Sequence, residues 1–184
     1  MDFLTSLFSS HDSSRLLRES RARLYRVAYA WCHSAQLADD LVQETLVKAM
    51  RKRSQLRSEE TRDAWMFQIL ANCFRDHLRR GRETDDVDEM EIPDLRTPEL
   101  VSNEQEVVRK VRDALGRLPV GQRQVITLVD LDGMSYLEVA AVLNVPIGTV
   151  MSRLCRARDQ LKKLLARDMG IPASEKNFRI RRIK

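Results

Sequence analysis

Residues 135–158 constrain the fold more than any other segment, because they have the pattern of two helices joined by a tight turn. Ser135 is followed three residues later by Glu138, which is the pattern of a capping box and predicts that a helix begins at Tyr136. The apolar positions at helical spacing are Tyr136, Val139, Ala140 and Leu143. Asn144 tolerates the left-handed backbone that ends a helix, so the first helix is predicted to be short.

A second helix with a basic face is predicted after this turn. Pro146 and Gly148 interrupt the first helix, and Thr149 offers a capping hydroxyl near the start of the next. Its apolar positions are Val150, Leu154, Ala157, Leu161 and Leu164. Its other face carries Ser152, Arg153, Arg156, Arg158 and Lys162. This is the helix-turn-helix pattern, in which the second helix enters a major groove and Arg side chains meet guanine edges and phosphates.

A helical hairpin whose charged face is only solvated is the alternative, and a basic face alone would favour it. Here the cap, the turn residues and the apolar spacing coincide, which favours DNA binding. The formal net charge of +5 also suits a polyanionic partner.

The composition indicates an all-α protein with one or two small domains. The chain has 184 residues with few glycines and prolines, and only 5% of its residues are aromatic. No apolar run reaches the roughly 18 residues of a membrane span, and the N-terminus lacks a signal-peptide pattern. Three widely spaced cysteines, Cys32, Cys73 and Cys155, favour a reducing cytoplasm over a disulfide framework or a metal site. We therefore predict a cytoplasmic protein without membrane insertion.

The N-terminal half has the pattern of a three-helix bundle over residues 15–82, after an extension at 1–14. The first helix has an apolar face of Leu24, Val27, Ala28 and Trp31, and a break follows at His33. The second is predicted at 38–53, and Asp63 is the predicted cap of the third. The alternative is a plain bundle with no partner.

An acidic linker is predicted at residues 83–106, where Arg96 is the only basic residue and Pro93 and Pro98 bar a continuous helix. A second helical module at 107–168 contains the helix-turn-helix, and a basic tail follows at 169–184. The three histidines are scattered and there is no glycine-rich phosphate loop or Ser/His/Asp grouping. We predict no enzyme activity, no cofactor, no metal and no small-molecule substrate.

Three segments together resemble the extracytoplasmic-function (ECF) type of bacterial RNA polymerase sigma factor, in the sigma-70 family. Residues 38–50, ADDLVQETLVKAM, resemble region 2.2, and residues 64–80, AWMFQILANCFRDHLRR, are similar to regions 2.3 and 2.4. Residues 115–165 resemble region 4. The resemblance implies a transcription initiation factor with two small helical domains, one for region 2 and one for region 4.

For the N-terminal bundle, the resemblance implies binding to core RNA polymerase and to the −10 promoter element. The residues that would dock on the coiled coil of the largest polymerase subunit are Asp39, Asp40, Gln43, Glu44 and Lys48. The residues assigned to the −10 element are Trp65, Asn72, Arg75, Asp76, Arg79 and Arg80. Asn72 would hold an unstacked base, while Trp65 and Phe74 suit base stacking but at helical spacing are more often core residues.

For the second module, the resemblance implies binding to −35 promoter DNA and to the polymerase flap. The residues assigned to the −35 element are Thr149, Ser152, Arg153, Arg156 and Arg158. The linker would thread toward the polymerase active site. Gln68 and Met151 depart from the family pattern, because each stands where a basic residue is common.

An anti-sigma factor is a further implied partner, because masking either DNA-binding surface would stop function. Two other functions stay open from the sequence: a sigma mimic that titrates an anti-sigma factor, and a stand-alone helix-turn-helix repressor. The mimic would lose DNA-reading residues, and the repressor gives no role to the acidic linker.

Overall fold

The computed structural model describes residues 11–56, 58–84 and 103–170, and the regular structure in those ranges is helical throughout. The described residues form seven α-helices in the order α1 His11–Cys32, α2 Ala35–Arg51, α3 Arg62–Thr84, α4 Asn103–Gly116, α5 Val120–Ile126, α6 Tyr136–Leu143 and α7 Ile147–Asp168. Short 3-10 turns, Arg53–Gln55 and Glu59–Thr61, precede α3, and a π-helical segment, Thr127–Leu131, continues α5. The predicted all-α class is confirmed.

The chain forms two compact units, Met1–Tyr29 with Ala35–Asp86 and Ala30–Ser34 with Val87–Lys184. Most of the predicted acidic linker, the N-terminal extension up to residue 10 and the basic tail from residue 171 lie outside the described residues. Helix α4 begins at Asn103, within the range predicted as linker.

The first unit buries one apolar stripe from each of its helices. Leu24, Val27 and Ala28 of α1 are buried, as predicted, and the break after α1 falls at His33, whose φ is 54°. Helix α2 contributes Ala38, Leu41 and Val42, and α3 contributes Phe67, Leu70, Cys73 and Phe74. Thr45 is a fully buried polar residue, and its hydroxyl donates to the Leu41 carbonyl at 2.7 Å, so its burial leaves no unpaired donor.

The start of α3 differs from the prediction. The helix begins at Arg62, so Asp63 lies inside the first turn and is not the residue before the helix. A 3-10 turn leads directly into α3, and the helix starts two residues earlier than a cap at Asp63 predicts. The Asp63 carboxylate accepts a hydrogen bond from Arg23 of α1, and a carboxylate in the first turn also interacts favourably with the helix dipole.

The second unit is built around α7, which packs against α4, α5 and α6. The buried positions of α7 are Val150, Leu154, Ala157, Leu161 and Leu165. Leu165 is buried in place of the predicted Leu164, which is half-buried; the two residues lie on opposite flanks of the stripe, about 100° apart. In α6 the buried residues are Val139, Val142 and Leu143, whereas Tyr136, predicted to be buried, is 37% exposed at the first turn.

The helix-turn-helix geometry agrees with the sequence prediction. Ser135 and Glu138 form both hydrogen bonds of the capping box, and Asn144 ends α6 with φ 54° and ψ 54°. The axes of α6 and α7 meet at 104°, within the range typical of this motif. Thr149 does not cap α7, because the helix already begins at Ile147 after Pro146 and has no side-chain cap.

Other features of the described ranges concern membranes, metals and thiols. None of the described helices is, by itself, both long and apolar enough to cross a membrane. The described residues contain no cluster of His, Cys, Asp and Glu that could hold a metal ion. Cys32 is half-buried, Cys73 is buried and Cys155 is exposed, and all three are free thiols.

Candidate polymerase and nucleic-acid interfaces

An acidic surface lies along one side of α2. Asp40 and Gln43 are exposed, and Asp39 accepts a hydrogen bond at 3.0 Å from Nη2 of Arg21. Glu44 pairs with Lys48 one turn later at 2.8 Å. This pairing raises the pKa of Lys48 above its usual range, chiefly through the hydrogen bond to Glu44. The five predicted docking residues therefore form one surface, which we call the α2 face.

Lys48 also connects the α2 face to α3. Its Nζ lies 4.0 Å from Oδ2 of Asp76, while Oδ1 of Asp76 lies 3.6 Å from Nη2 of Arg79. The Lys48 ammonium group therefore lies between the Glu44 carboxylate of α2 and the Asp76 carboxylate of α3. These contacts are half-exposed, so each pair contributes modestly to stability.

The predicted −10 residues line one side of α3. Trp65, Asn72, Asp76 and Arg79 recur every three, four or seven residues, which places them on one stripe that we call the α3 stripe together with Gln68 and Arg75. Trp65 and Asp76 are half-buried and the other members are exposed. Arg80 lies beside the stripe, and its Nε donates to the Asp76 carbonyl at 3.4 Å.

Asn72 is oriented by its neighbour on the stripe. Its Oδ1 accepts a hydrogen bond from Nη1 of Arg75 at 3.0 Å, and the side chain is otherwise exposed. The carboxamide NH₂ therefore points two donors away from Arg75. Phe74 takes no part, because it lies two residues and about 200° around the helix from Asn72 and is only 2% exposed. The stacking role considered for Phe74 is therefore wrong, and it is a core residue.

The outer face of α7 carries a hydrogen-bonded chain of three predicted −35 residues. The Ser152 hydroxyl donates to the Thr149 carbonyl at 3.1 Å. Arg156 donates through Nε to the Ser152 carbonyl at 3.2 Å and through Nη2 to the Ser152 hydroxyl at 3.4 Å. Arg156 and Ser152 are exposed, and we call Thr149, Ser152 and Arg156 the α7 face.

Two further arginines of α7 complete the predicted −35 set. Arg153 is half-buried, and its guanidinium carbon lies 3.2 Å from the position that a Cβ on Gly121 would take. Arg158 donates to both carboxylate oxygens of Asp130, at 3.0 Å and 2.6 Å. The hydrogen bond to Asp130 raises the pKa of Arg158 further above its usual range.

Sequence reasoning missed Asp130, Gly121 and the exposed Val47 in the middle of the α2 face. Asp130 and Gly121 act through tertiary contacts 28 and 32 residues away along the chain, for which periodicity gives no signal. Val47 is 40% exposed, although its chain neighbour Leu46 fits the buried stripe. An apolar residue between charged helix positions is the one signal that could have identified it.

Both halves of the chain match known families. Residues 16–84 match Sigma-70 region 2, and residues 109–161 match Sigma-70, region 4. Over 142 residues the chain is 38% identical to the ECF RNA polymerase sigma factor EcfG of Rhodopseudomonas palustris, covering 74% of this chain and 78% of that protein. The chain belongs to the ECF sigma factors. The predicted family is confirmed.

Further relatives and two solved structures are also similar to this ECF sigma factor. RNA polymerase sigma-H factor of Pseudomonas aeruginosa is 32% identical over 145 residues, which cover 72% of this chain and 75% of that protein. The sigma factor RpoE of Bartonella quintana, solved in complex with the anti-sigma factor NepR, superposes with a TM-score of 0.72 at 33% identity. That match covers 86% of this chain and 99% of RpoE. CnrH, solved with the cytosolic domain of CnrY, has a TM-score of 0.62 at 27% identity, with 90% of this chain and 95% of CnrH covered.

The matched ranges fall on the two units of this sigma factor. Region 2 spans most of α1 and all of α2 and α3, which carry the α2 face and the α3 stripe. Region 4 runs from α4 into α7 and includes the α7 face. Each candidate interface therefore belongs to the region in which the sequence placed it.

Proposed function

We propose that this ECF sigma factor binds core RNA polymerase and directs it to specific promoters, opening the −10 element with the first unit and reading the −35 element with the second. The observation that carries the proposal is the α3 stripe, where two carboxamides and two arginines are exposed together on one helix of region 2, with the exposed Arg80 beside them. A solvated surface helix needs no oriented Asn–Arg pair, whereas an unstacked base needs one polar edge and nearby phosphate ligands.

The α2 face is the proposed contact with core polymerase. It exposes Asp40 and Gln43, with Asp39 and Glu44 beside them and Val47 between. An acidic patch around an exposed apolar residue suits a basic partner helix, because interfaces combine apolar burial at the centre with charge pairs at the rim.

The α3 stripe is the proposed site of strand opening. Arg75, Arg79 and Arg80 would bind backbone phosphates, and the two free donors of Asn72 would bind the edge of a base removed from the stack. Trp65 is half-buried at the start of the stripe and would contact the DNA there.

The α7 face is the proposed reader of the −35 duplex. Thr149, Ser152 and Arg156 form a preorganised row along the outer side of the helix, and Arg153 and Arg158 are the other two proposed contacts. One good bidentate base contact contributes about 1–3 kcal/mol of discrimination.

An anti-sigma factor is the proposed regulatory partner. Two similar proteins were solved in complexes that support this: RpoE with the anti-sigma factor NepR and CnrH with the cytosolic domain of CnrY. A partner that covers either the α2 face or the α7 face would stop function, since the proposed activity needs both.

Run-off transcription from a bank of promoters, with core polymerase alone and with this protein, tests the proposal. Promoter-specific transcripts that depend on the protein are the expected result. Polymerase binding without transcripts would identify a sigma mimic, and tight duplex binding that needs no polymerase would identify a repressor. Failure to associate with core polymerase would refute the proposed function.

Asn72→Ala tests the role of the α3 stripe within that assay. We expect promoter opening, measured by permanganate reactivity of unpaired thymines, to fall about 10-fold, the loss of one to two hydrogen bonds to a base. Affinity for core polymerase, measured by anisotropy of a labelled protein, should stay unchanged. Gln36→Ala removes an exposed carboxamide at the start of α2 and serves as the control. Equal losses in opening and in polymerase binding would contradict the assignment of Asn72.

A further inference from the structure

Arg158 lies two residues and about 200° around α7 from Arg156, one turn beyond the exposed Cys155, and is held by a carboxylate from another segment of its own unit. Its Nε donates to Oδ2 of Asp130 at 3.0 Å, and its Nη2 donates to Oδ1 at 2.6 Å. Two parallel hydrogen bonds between a guanidinium and a carboxylate fix the plane of the guanidinium, which one ion pair does not. The side chain of Arg158 remains 46% exposed in this arrangement.

Asp130 belongs to a segment whose other side chains are largely buried. It lies in the π-helical segment Thr127–Leu131, whose Thr127, Leu128 and Val129 are buried. A backbone hydrogen bond of 3.0 Å from Asp132 to the Thr127 carbonyl closes that segment. The Asp130 side chain is itself only 24% exposed, so its carboxylate has little freedom to move.

Tyr136, in the first turn of α6, also raises the pKa of Arg158, but less than Asp130 does. Tyr136 is 37% exposed. The two hydrogen bonds to Asp130 therefore connect Arg158 of α7 to the π-helical segment.

The remaining donors of Arg158 decide what this arrangement can do. A guanidinium has five N–H donors in a fixed fork, and Asp130 accepts two of them. We propose that Asp130 is a positioning residue that holds Arg158 oriented toward a phosphate of the −35 duplex, an inference that rests on the proposed function of the second unit.

The proposal reverses the sign that electrostatics alone predicts. An acidic residue beside a DNA-binding surface repels phosphates, so removal of its charge normally strengthens binding. Asp130 instead orders a long side chain before DNA arrives, and ordering such a side chain during binding costs about 2- to 12-fold in affinity. Asp130→Asn should therefore weaken binding although it makes the protein more basic.

Asp159 provides the matched control. It is an exposed acid of α7, one turn beyond Cys155, and it pairs only within its own helix with Lys163, at 2.8 Å. Asp159→Asn makes the same change of charge and size without touching Arg158. We expect it to leave affinity unchanged or to increase it.

The experiment uses the full chain with core polymerase and two DNA duplexes. One duplex is enriched from a random pool by the wild-type complex, and the other is its scrambled version. Asp130→Asn should bind both duplexes about 2- to 12-fold more weakly, because a contact to a backbone phosphate does not depend on the base sequence. Arg158→Lys keeps the charge but loses the fork, so it should show a similar loss, and the double variant should be no weaker than Arg158→Lys alone.

Each outcome has a defined meaning. Asp130→Asn binding as tightly as Asp159→Asn, or additive losses in the double variant, would overturn the inference while leaving the proposed function intact. A wild-type complex with no preference between the duplexes would overturn the proposed function and the inference with it. If Asp130→Asn lowers the melting temperature, Arg158→Lys in the wild-type Asp130 background provides the same comparison, and unchanged affinity of Arg158→Lys for both duplexes would then count against the inference.

Discussion

The capping box at the start of α6 contributes a stability that can be measured locally. The Ser135 hydroxyl accepts a hydrogen bond from the Glu138 backbone N–H at 3.3 Å, and Glu138 Oε2 accepts one from the Ser135 backbone N–H at 2.7 Å. Helix α6 has only eight residues, so capping satisfies a large share of its unpaired amides. Ser135→Ala removes the first bond, and we expect it to cost about 1 kcal/mol.

Hydrogen–deuterium exchange of the α6 amides measures this cost without interference from the other unit. A loss of about 1 kcal/mol should accelerate exchange roughly 5-fold in α6 and lower the melting temperature of the second unit by about 4–8 °C. Thr149→Ala removes a hydroxyl from the first turn of α7, which has no side-chain cap, and should change neither quantity.

A double variant tests whether the two bonds act together. Both require the extended backbone of Ser135, with φ −69° and ψ 159°. Ser135→Ala combined with Glu138→Gln should therefore cost less than the sum of the single changes. Unaltered α6 exchange in Ser135→Ala, or a loss equal to that of Thr149→Ala, would refute the reasoning.

Two further predictions concern the α7 face. Gly121→Ala places a Cβ 3.2 Å from the guanidinium of Arg153, so we expect a displaced arginine and a several-fold weaker −35 complex in an anisotropy titration, with a folded state as stable as wild type. The control is Gly148→Ala, at the same position of a helix that also follows a proline, where the added methyl meets no atom within 4 Å. Equal DNA affinity of wild type and Gly121→Ala would contradict the role of Arg153. Cys155 is exposed on α7, whereas Cys73 is buried and burial raises the pKa of the Cys73 thiol. Iodoacetamide should therefore modify Cys155 before Cys73, and bound −35 DNA should slow the modification of Cys155. If Cys155 reacts at the same rate with and without DNA, the duplex binds elsewhere.

Local patterns made α6 and its turn predictable from the sequence. The capping box and the left-handed Asn144 depend on residues within a few positions of each other, so the sequence contains their full cause. The apolar face of α1 was predictable for the same reason, because a helix of 22 residues repeats its signal several times.

Helix starts and short helices were less predictable. A hydroxyl or carboxylate near a helix start marks a cap only when the preceding backbone is extended, and at Asp63 and Thr149 a 3-10 turn and Pro146 begin the helix earlier. Tyr136 fits the spacing of a buried face, yet α6 is so short that its first turn extends beyond the core.

Tertiary partners were not predictable at all from periodicity. Asp130 and Arg158 lie 28 residues apart, and no local pattern links an acid in a π-helical segment to an arginine of α7. The roles proposed for the residues of the α3 stripe were accessible only through the family resemblance, because an exposed Asn on a basic helix is also common on solvated surfaces.

The contact of Lys48 with both Glu44 and Asp76 has a consequence for genetics. The Lys48 ammonium group interacts with two carboxylates, Glu44 on α2 at 2.8 Å and Asp76 on α3 at 4.0 Å. When Glu44 is neutralised, Lys48 interacts with Asp76 alone, which changes the electrostatic environment of Arg79. The phenotype of a Glu44 substitution in α2 will therefore include an effect on Asp76 in α3. Suppressors of Glu44 substitutions are to be sought at Asp76 as well as in the partner protein.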